Sequence, residues 1–262
     1  MPTDAVMPGA EPFSAPGGPH GALVLHGFTG TPNSMRGVAG ALVDAGFAVV
    51  VPLLPGHGTT PEDMATTGWA DWSAAAETAY EKLAANCDKV VVAGLSMGGT
   101  LTVWLATRHP EIAGIAVING LVEPPAPELR QIVDMLVAQG ITEVPAIGSD
   151  IAIPGKVEVA YDSAPVSCTV SLLDSLEALK ADLGKISCPV LIFTSPNDHV
   201  VPIVSSDTLA EGVNGPVERV SLERSFHVAT LDYDAELIEK KTVAFALRVT
   251  AAYAGRPDRT GA

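Results

Sequence analysis

Short runs of apolar, largely β-branched residues punctuate the chain at 21–26 (GALVLH), 47–53, 89–93 (KVVVA), 112–118 and 189–194 (PVLIFT), and a more polar strand-like stretch, VERVSL, follows at 217–222. Between them, apolar positions recur at three- and four-residue spacing and predict helices over 35–45, 69–86, 100–109, 204–211 and from 234 to about 253. Gly46 has the place of a C-cap, Pro110 stops the third helix, and Asp234 reads as the cap of the last. Strands alternating with helices predict an α/β fold with a mostly parallel central sheet flanked by helices. The rhythm breaks over 120–186. That stretch carries Pro124, Pro125, Pro127, Pro145, Pro154 and Pro165, and two amphipathic helical segments near 128–139 and 172–183. It reads as a cap insertion after the fourth recognisable strand. The expected organisation is therefore a flexible N-terminal arm at 1–18, a core at 19–119 and 187–254, a cap at 120–186 and a flexible tail at 255–262.

Composition narrows the partners. Apolar residues make up 47% of the 262, but no uninterrupted run approaches the ~20 needed to span a bilayer. A net charge of −15 argues against nucleic acid, whose phosphates call for Lys and Arg, and against tight docking on anionic lipid. Cys87, Cys168 and Cys188 form neither a CxxC pair nor a disulfide framework. With no basic and apolar leader at the N-terminus, they suggest a cytoplasmic protein acting on a small, neutral or weakly polar molecule. Oligomeric state is left open.

One stretch carries chemistry. Gly94-Leu95-Ser96-Met97-Gly98 is a GxSxG pattern that follows a β-branched run and precedes a helix. A strand-to-helix turn this sharp crowds the positions two before and two after the serine, hence the glycines, and lifts the hydroxyl above the sheet edge. A serine needs a base to take its proton and a carboxylate to hold that base. Of the six histidines, His227 alone follows the last strand. Asp198, in the turn after PVLIFT, precedes it in the order serine, acid, histidine. The oxyanion of an acyl-transfer intermediate needs N–H donors. Met97, opening a helix, and Phe28, in the His26-Gly27-Phe28-Thr29-Gly30 loop after the first strand, are placed to supply them. His26 and His57, in glycine turns, read as braces. No metal or organic cofactor is called for.

The segments HGFTGTPNSMR (26–36), PGHGTTPEDM (55–64), GLSMGGTLTVWLA (94–106), IGSDI (147–151), NDHVVP (197–202) and SFHVATLDYD (225–234) together resemble bacterial monoacylglycerol lipases of the Bacillus type, within the α/β-hydrolase superfamily. The resemblance runs from about residue 21 to 249. It implies an α/β-hydrolase fold and a cytosolic serine esterase releasing glycerol and fatty acid. Ser96, Asp198 and His227 are its triad, and Phe28 and Met97 its oxyanion donors. It also implies substrate contacts from the cap side: Asn119 lining the pocket, Ile147 as an apolar gate, and Glu158 as a carboxylate meeting a glycerol hydroxyl. Each of these three also has an ordinary reading, as turn residue, cap core and solvated charge respectively. A carboxylesterase of broad specificity is the alternative activity, and a non-catalytic receptor on the same fold a more distant one. The apolar side of the cap could touch lipid transiently.

Overall fold

The computed structural model describes residues 5–146 and 148–251. In chain order its elements are β1 (Phe13–Ala15), β2 (His20–Leu25), α1 (Arg36–Asp44), β3 (Ala48–Val51), α2 (Pro61–Met64), α3 (Trp69–Ala84), β4 (Lys89–Leu95), α4 (Met97–Arg108), β5 (Gly114–Ile118), α5 (Pro127–Ala138), β6 (Glu143–Pro145), β7 (Ser163–Pro165), α6 (Val166–Asp182), β8 (Val190–Thr194), α7 (Val204–Gly212), β9 (Val217–Ser221) and α8 (Ala235–Ala251). Seven strands form one sheet in the order β1-β3-β2-β4-β5-β8-β9. All neighbours run parallel except β1, which is antiparallel to β3.

The β-branched runs become strands because both faces of the sheet are covered. Successive side chains of β4 divide between the two cores. Val90 and Val92 pack with Trp72, Ala76 and Tyr80 of α3 and Leu101 and Leu105 of α4. Val91, Ala93 and Leu95 pack with Val38 and Leu42 of α1 and Ile238 and Phe245 of α8. Strand β2 lies between β3 and β4, so the direction of strand progression reverses at β2. Such a switch point leaves a crevice beyond the carboxyl ends of the strands.

Two parts of the sequence-derived organisation change. The expected flexible arm includes β1, in which Phe13 pairs with Val51 under the Arg36 guanidinium, 5.1 Å from the ring centroid. Ala10 is fully buried, and the Met7 N–H donates to Gly58 O at 2.7 Å. Backbone pairing holds this segment, and a three-residue strand leaves no apolar periodicity to read. The insertion, in turn, does not lie wholly above the sheet. Its α6 starts at Val166, earlier than expected, and sends Cys168, Leu172 and Leu179 into the same core as α3 and α4. Only α5 stands apart, resting through Val133 on Leu173 and Leu176. Its Leu129, Ile132 and Met135 are about half exposed, at 48%, 50% and 51%. The expected tail lies outside the described residues.

Candidate active site

Strand β4 ends at Leu95 and α4 begins at Met97, so Ser96 alone makes the turn, with φ 55° and ψ −122°. Backbone in so sparsely populated a region costs on the order of 1–3 kcal/mol and persists only when its surroundings enforce it. Here the Ser96 N–H donates to Ile118 O at 2.9 Å, and the Thr100 N–H donates back to Ser96 O at 3.0 Å. The flanking glycines are steric necessities. A Cβ on Gly94 would lie 2.1 Å from Gly98 O, and one on Gly98 would lie 2.2 Å from Leu25 O. The helix starts three residues earlier than the sequence suggested, because packing against the sheet outweighs the poor helix propensity of Gly98 and Gly99.

Asp198 and His227 meet. Asp198 Oδ1 accepts the N–H groups of Val200 and Val201, both at 2.8 Å, and Oδ2 lies 2.8 Å from His227 Nδ1. The carboxylate fixes the proton on Nδ1 and leaves Nε2 as the open ring nitrogen. The two side chains are only 3% and 7% exposed, which strengthens the pairing.

The glycine loop after β2 approaches from the other side. A Cβ on Gly27 would sit 3.3 Å from Ser96 Cβ. His26 Nδ1 donates to Gly27 O at 3.0 Å, while Nε2 accepts the Leu54 N–H at 3.1 Å. Burial, aided by the neighbouring His57, pushes His26 down to about 3. Burial likewise pushes His57 down to about 4. Both rings are therefore neutral braces: His26 packs edge-on against His57, and His57 against Phe28 and Trp72. Thr29 is held at φ 60° beside Phe28, and its main-chain O accepts the Tyr161 N–H at 3.2 Å. The Met97 N–H, first of α4, belongs to the group that has no acceptor within a helix.

A cavity of about 40 Å³ lies between these parts, lined by Phe28, Ser96, Glu158, His227, Gly148 and neighbours. Glu158 reaches it because residue 30 is glycine: a Cβ there would lie 2.7 Å from Glu158 Oε1. Burial pushes the Glu158 carboxyl up to about 7, against the opposing pull of the Ser34 hydroxyl and of His227. A larger groove of about 730 Å³ opens at the opposite edge of the sheet, by Pro110, Pro189, Phe245 and Arg248, and contains none of the predicted site residues.

Two residues make contacts beyond those expected of them. Asn119, expected to line the pocket, has its amide engaged elsewhere. Oδ1 accepts the Ser195 N–H at 2.8 Å, and Nδ2 donates to Ser195 Oγ at 2.9 Å and His227 O at 2.8 Å. It sits at φ 45°, 2% exposed, tying the ends of β5 and β8 to the histidine loop. Asp234 stands at the N-cap of α8, its main-chain O accepting the Ile238 N–H at 3.0 Å, while its carboxylate turns to the Arg224 N–H and Nε and the Ser225 hydroxyl, bracing the same loop. Ile147 lies outside the described residues. Sequence reasoning missed Ser195 and Asp150, whose contacts with this loop span long sequence separations, and Asp232, which reaches the loop locally at Phe226 and joins it to the distant Ala152. Among the described residues, no group of three or more His, Cys, Asp or Glu is arranged to hold a metal ion.

The model of the alpha/beta hydrolase fold matches residues 23–140. A thermostable monoacylglycerol lipase of Bacillus sp. (strain H-257) is 45% identical over 248 residues, 92% of this chain and 95% of that protein. The chain belongs to the α/β-hydrolase family. This α/β hydrolase is also 25% identical over 242 residues to a carboxylesterase of Bacillus subtilis (strain 168), covering 90% of this chain and 95% of that one. Among solved structures, one from a study of the metagenome-derived lipolytic enzymes LipS and LipT superposes with a TM-score of 0.89 at 41% identity, over 93% of this chain and 100% of the other. A monoacylglycerol lipase of Paleococcus ferrophilus shares the fold at a TM-score of 0.70 and 20% identity, over 91% and 99%. In this α/β hydrolase, Ser96, Asp198 and His227 follow β4, β8 and β9, at the carboxyl edge of the sheet.

Proposed function

We propose that this α/β hydrolase cleaves monoacylglycerols to glycerol and free fatty acid through an acyl-enzyme on Ser96. One constellation carries the reading: His227, held from behind by the buried Asp198 at 2.8 Å, shares a small cavity with a serine on a strained turn and with the Glu158 carboxyl. In this mechanism His227 Nε2 takes the Ser96 proton as the hydroxyl oxygen attacks the ester carbonyl. The Phe28 and Met97 N–H groups stabilise the oxyanion, helped by the positive end of α4. Asp198 keeps the ring oriented and stabilises the imidazolium. His227 then returns the proton to the departing glycerol oxygen, and water repeats the sequence on the acyl-enzyme.

Glu158 gives the pocket a polar end suited to a glycerol hydroxyl. Its raised carboxyl can exchange roles as donor and acceptor near neutral pH. The cavity of about 40 Å³ has room for roughly three waters, so the acyl chain requires the cap to yield. Helix α5 is the natural part to move, and its exposed Leu129, Ile132 and Met135 offer a transient contact for a lipid surface. The unpaired thiols of Cys87, Cys168 and Cys188 support a cytoplasmic location.

A carboxylesterase acting on short and medium acyl esters is the second reading, favoured by the small size of the cavity. Rates across monoacylglycerols, triacylglycerols and simple alkyl esters separate the two. Highest kcat/KM on monoacylglycerol supports the proposal, and a clear preference for alkyl esters overturns it.

A further inference from the structure

Asp150, carried by the insertion, touches both loops that hold the acid and the base. Its Oδ2 accepts the His227 N–H at 3.0 Å and the His199 N–H at 3.2 Å. Oδ1 lies 2.8 Å from His199 Nδ1, and its main-chain O accepts the Val228 N–H at 3.0 Å. His199 is the immediate neighbour of Asp198. The acid and base loops are thus joined twice, directly through Asp198 and His227 and again through one carboxylate of the cap. Asp232 supplies the reciprocal tie: Oδ2 accepts the N–H groups of Phe226 at 2.9 Å and Ala152 at 2.7 Å, and Oδ1 that of Ile153 at 3.2 Å. Residues 150–153 and 226–232 therefore clamp one another. The same stretch sets the polar wall of the cavity, since Ser149 Oγ accepts the Glu158 N–H at 2.7 Å.

We propose that Asp150 is a positioning residue that fixes the backbone of His227 and so sets the imidazole against Ser96. This rests on the reading of Ser96, Asp198 and His227 as the reacting groups. An imidazole can misalign in two ways, by rotating about its side-chain bonds or by riding on a loop that shifts. Asp198 restrains the first and Asp150 the second. The hydrogen bonds from backbone N–H groups to an ionised carboxylate are of the stronger kind. Proton transfer requires the base within hydrogen-bond reach of the hydroxyl, so a small shift of the loop carries a large kinetic penalty.

The test compares full-length wild type with Asp150→Ala and Asp150→Asn on a p-nitrophenyl ester and on a monoacylglycerol. It also follows the far-downfield proton NMR resonance of the His227–Asp198 hydrogen bond. Asp150→Ala is expected to lower kcat by about ten- to a hundredfold, with KM changed by less than about threefold, and to weaken or move the resonance. Asp150→Asn keeps an acceptor for the His227 N–H and is expected to recover most of the rate and the resonance. Should the alanine variant fail to fold, Asp150→Ser takes its place with the same expectation. A kcat within about twofold of wild type, a change confined to KM, or equal losses in alanine and asparagine with an unmoved resonance would each overturn the proposal. A wild-type chain that hydrolyses neither ester overturns the functional reading instead, and the resonance in the variants then decides the role of Asp150.

Discussion

Replacing Asn119 by alanine separates two roles for that residue. The amide accepts from the Ser195 N–H at 2.8 Å and donates to His227 O at 2.8 Å, both inside the protein. Asn119→Ala leaves these two backbone groups without partners, at about 1–3 kcal/mol each. Alanine also tolerates φ 45° less well than asparagine, by roughly 1 kcal/mol. Ser195 Oγ keeps its bond to Phe226 O at 2.9 Å, so nothing further is lost there. The expected destabilisation is about 4 kcal/mol, or roughly 10 °C in Tm for a chain of this size. Because the lost tie ends on the histidine loop, kcat falls while KM holds. Urea titration and steady-state kinetics on one ester read both. Asn119→Gly relieves the backbone without restoring the amide, and should recover about 1 kcal/mol of the loss. A variant with wild-type Tm and kcat but a raised KM would refute this reasoning and return Asn119 to the pocket wall.

Further outcomes follow from the same geometry. Gly30→Ala would place a Cβ 2.7 Å from Glu158 Oε1; KM for monoacylglycerol is expected to rise about tenfold while that for a p-nitrophenyl ester stays, and equal effects on both would count against Glu158 as the glycerol contact. His26 and His57, pushed down to about 3 and about 4, fall below the unfolded value near 6.5, so the stability they lend is whole above pH 6.5 and drains as the pH drops, at about 1.4 kcal/mol per pH unit each. Glu158, pushed up to about 7, has the opposite sign: its folded state binds the proton first as pH falls from 7 to 4.5, returning about 1.4 kcal/mol per unit. Denaturation midpoints at pH 6.5, 5.5 and 4.5 should therefore fall with a net slope of about 1.4 kcal/mol per unit, doubling in Glu158→Gln, and an unchanged slope in that variant would contradict the assignment. Gly98→Ala, whose Cβ would lie 2.2 Å from Leu25 O, should lose both stability and the ability of Ser96 to react with a phosphonate, and retention of both would refute the steric account of the turn.

The parallel sheet was legible because five of its seven strands are apolar runs bounded by turns, with helical periodicity between them. The places of Ser96, Asp198 and His227 were legible too, since each follows a strand the pattern marks. Other features left weaker traces. Strand β1 is three residues held by backbone pairing. The pair β6 and β7 joins Glu143-Val144-Pro145 to Ser163-Ala164-Pro165, where prolines argue against strands. The start of α6, Val166-Ser167-Cys168-Thr169, is poor in helix formers and is fixed by Cys168 packing under Met64 and Thr67. Asp150, Asp232 and Ser195 are ordinary polar residues in loops, and their meaning lies in partners as many as 80 positions away.

The proposed mechanism stands on Ser96 as the nucleophile. Intact-mass analysis after exposure to a fluorophosphonate, with the adduct then mapped by peptide sequencing, tests it most directly. The expected result is a single adduct on Ser96 in the wild type, forming together with loss of monoacylglycerol hydrolysis, and none in Ser96→Ala. An adduct on another residue, or full hydrolysis by Ser96→Ala, would contradict the account.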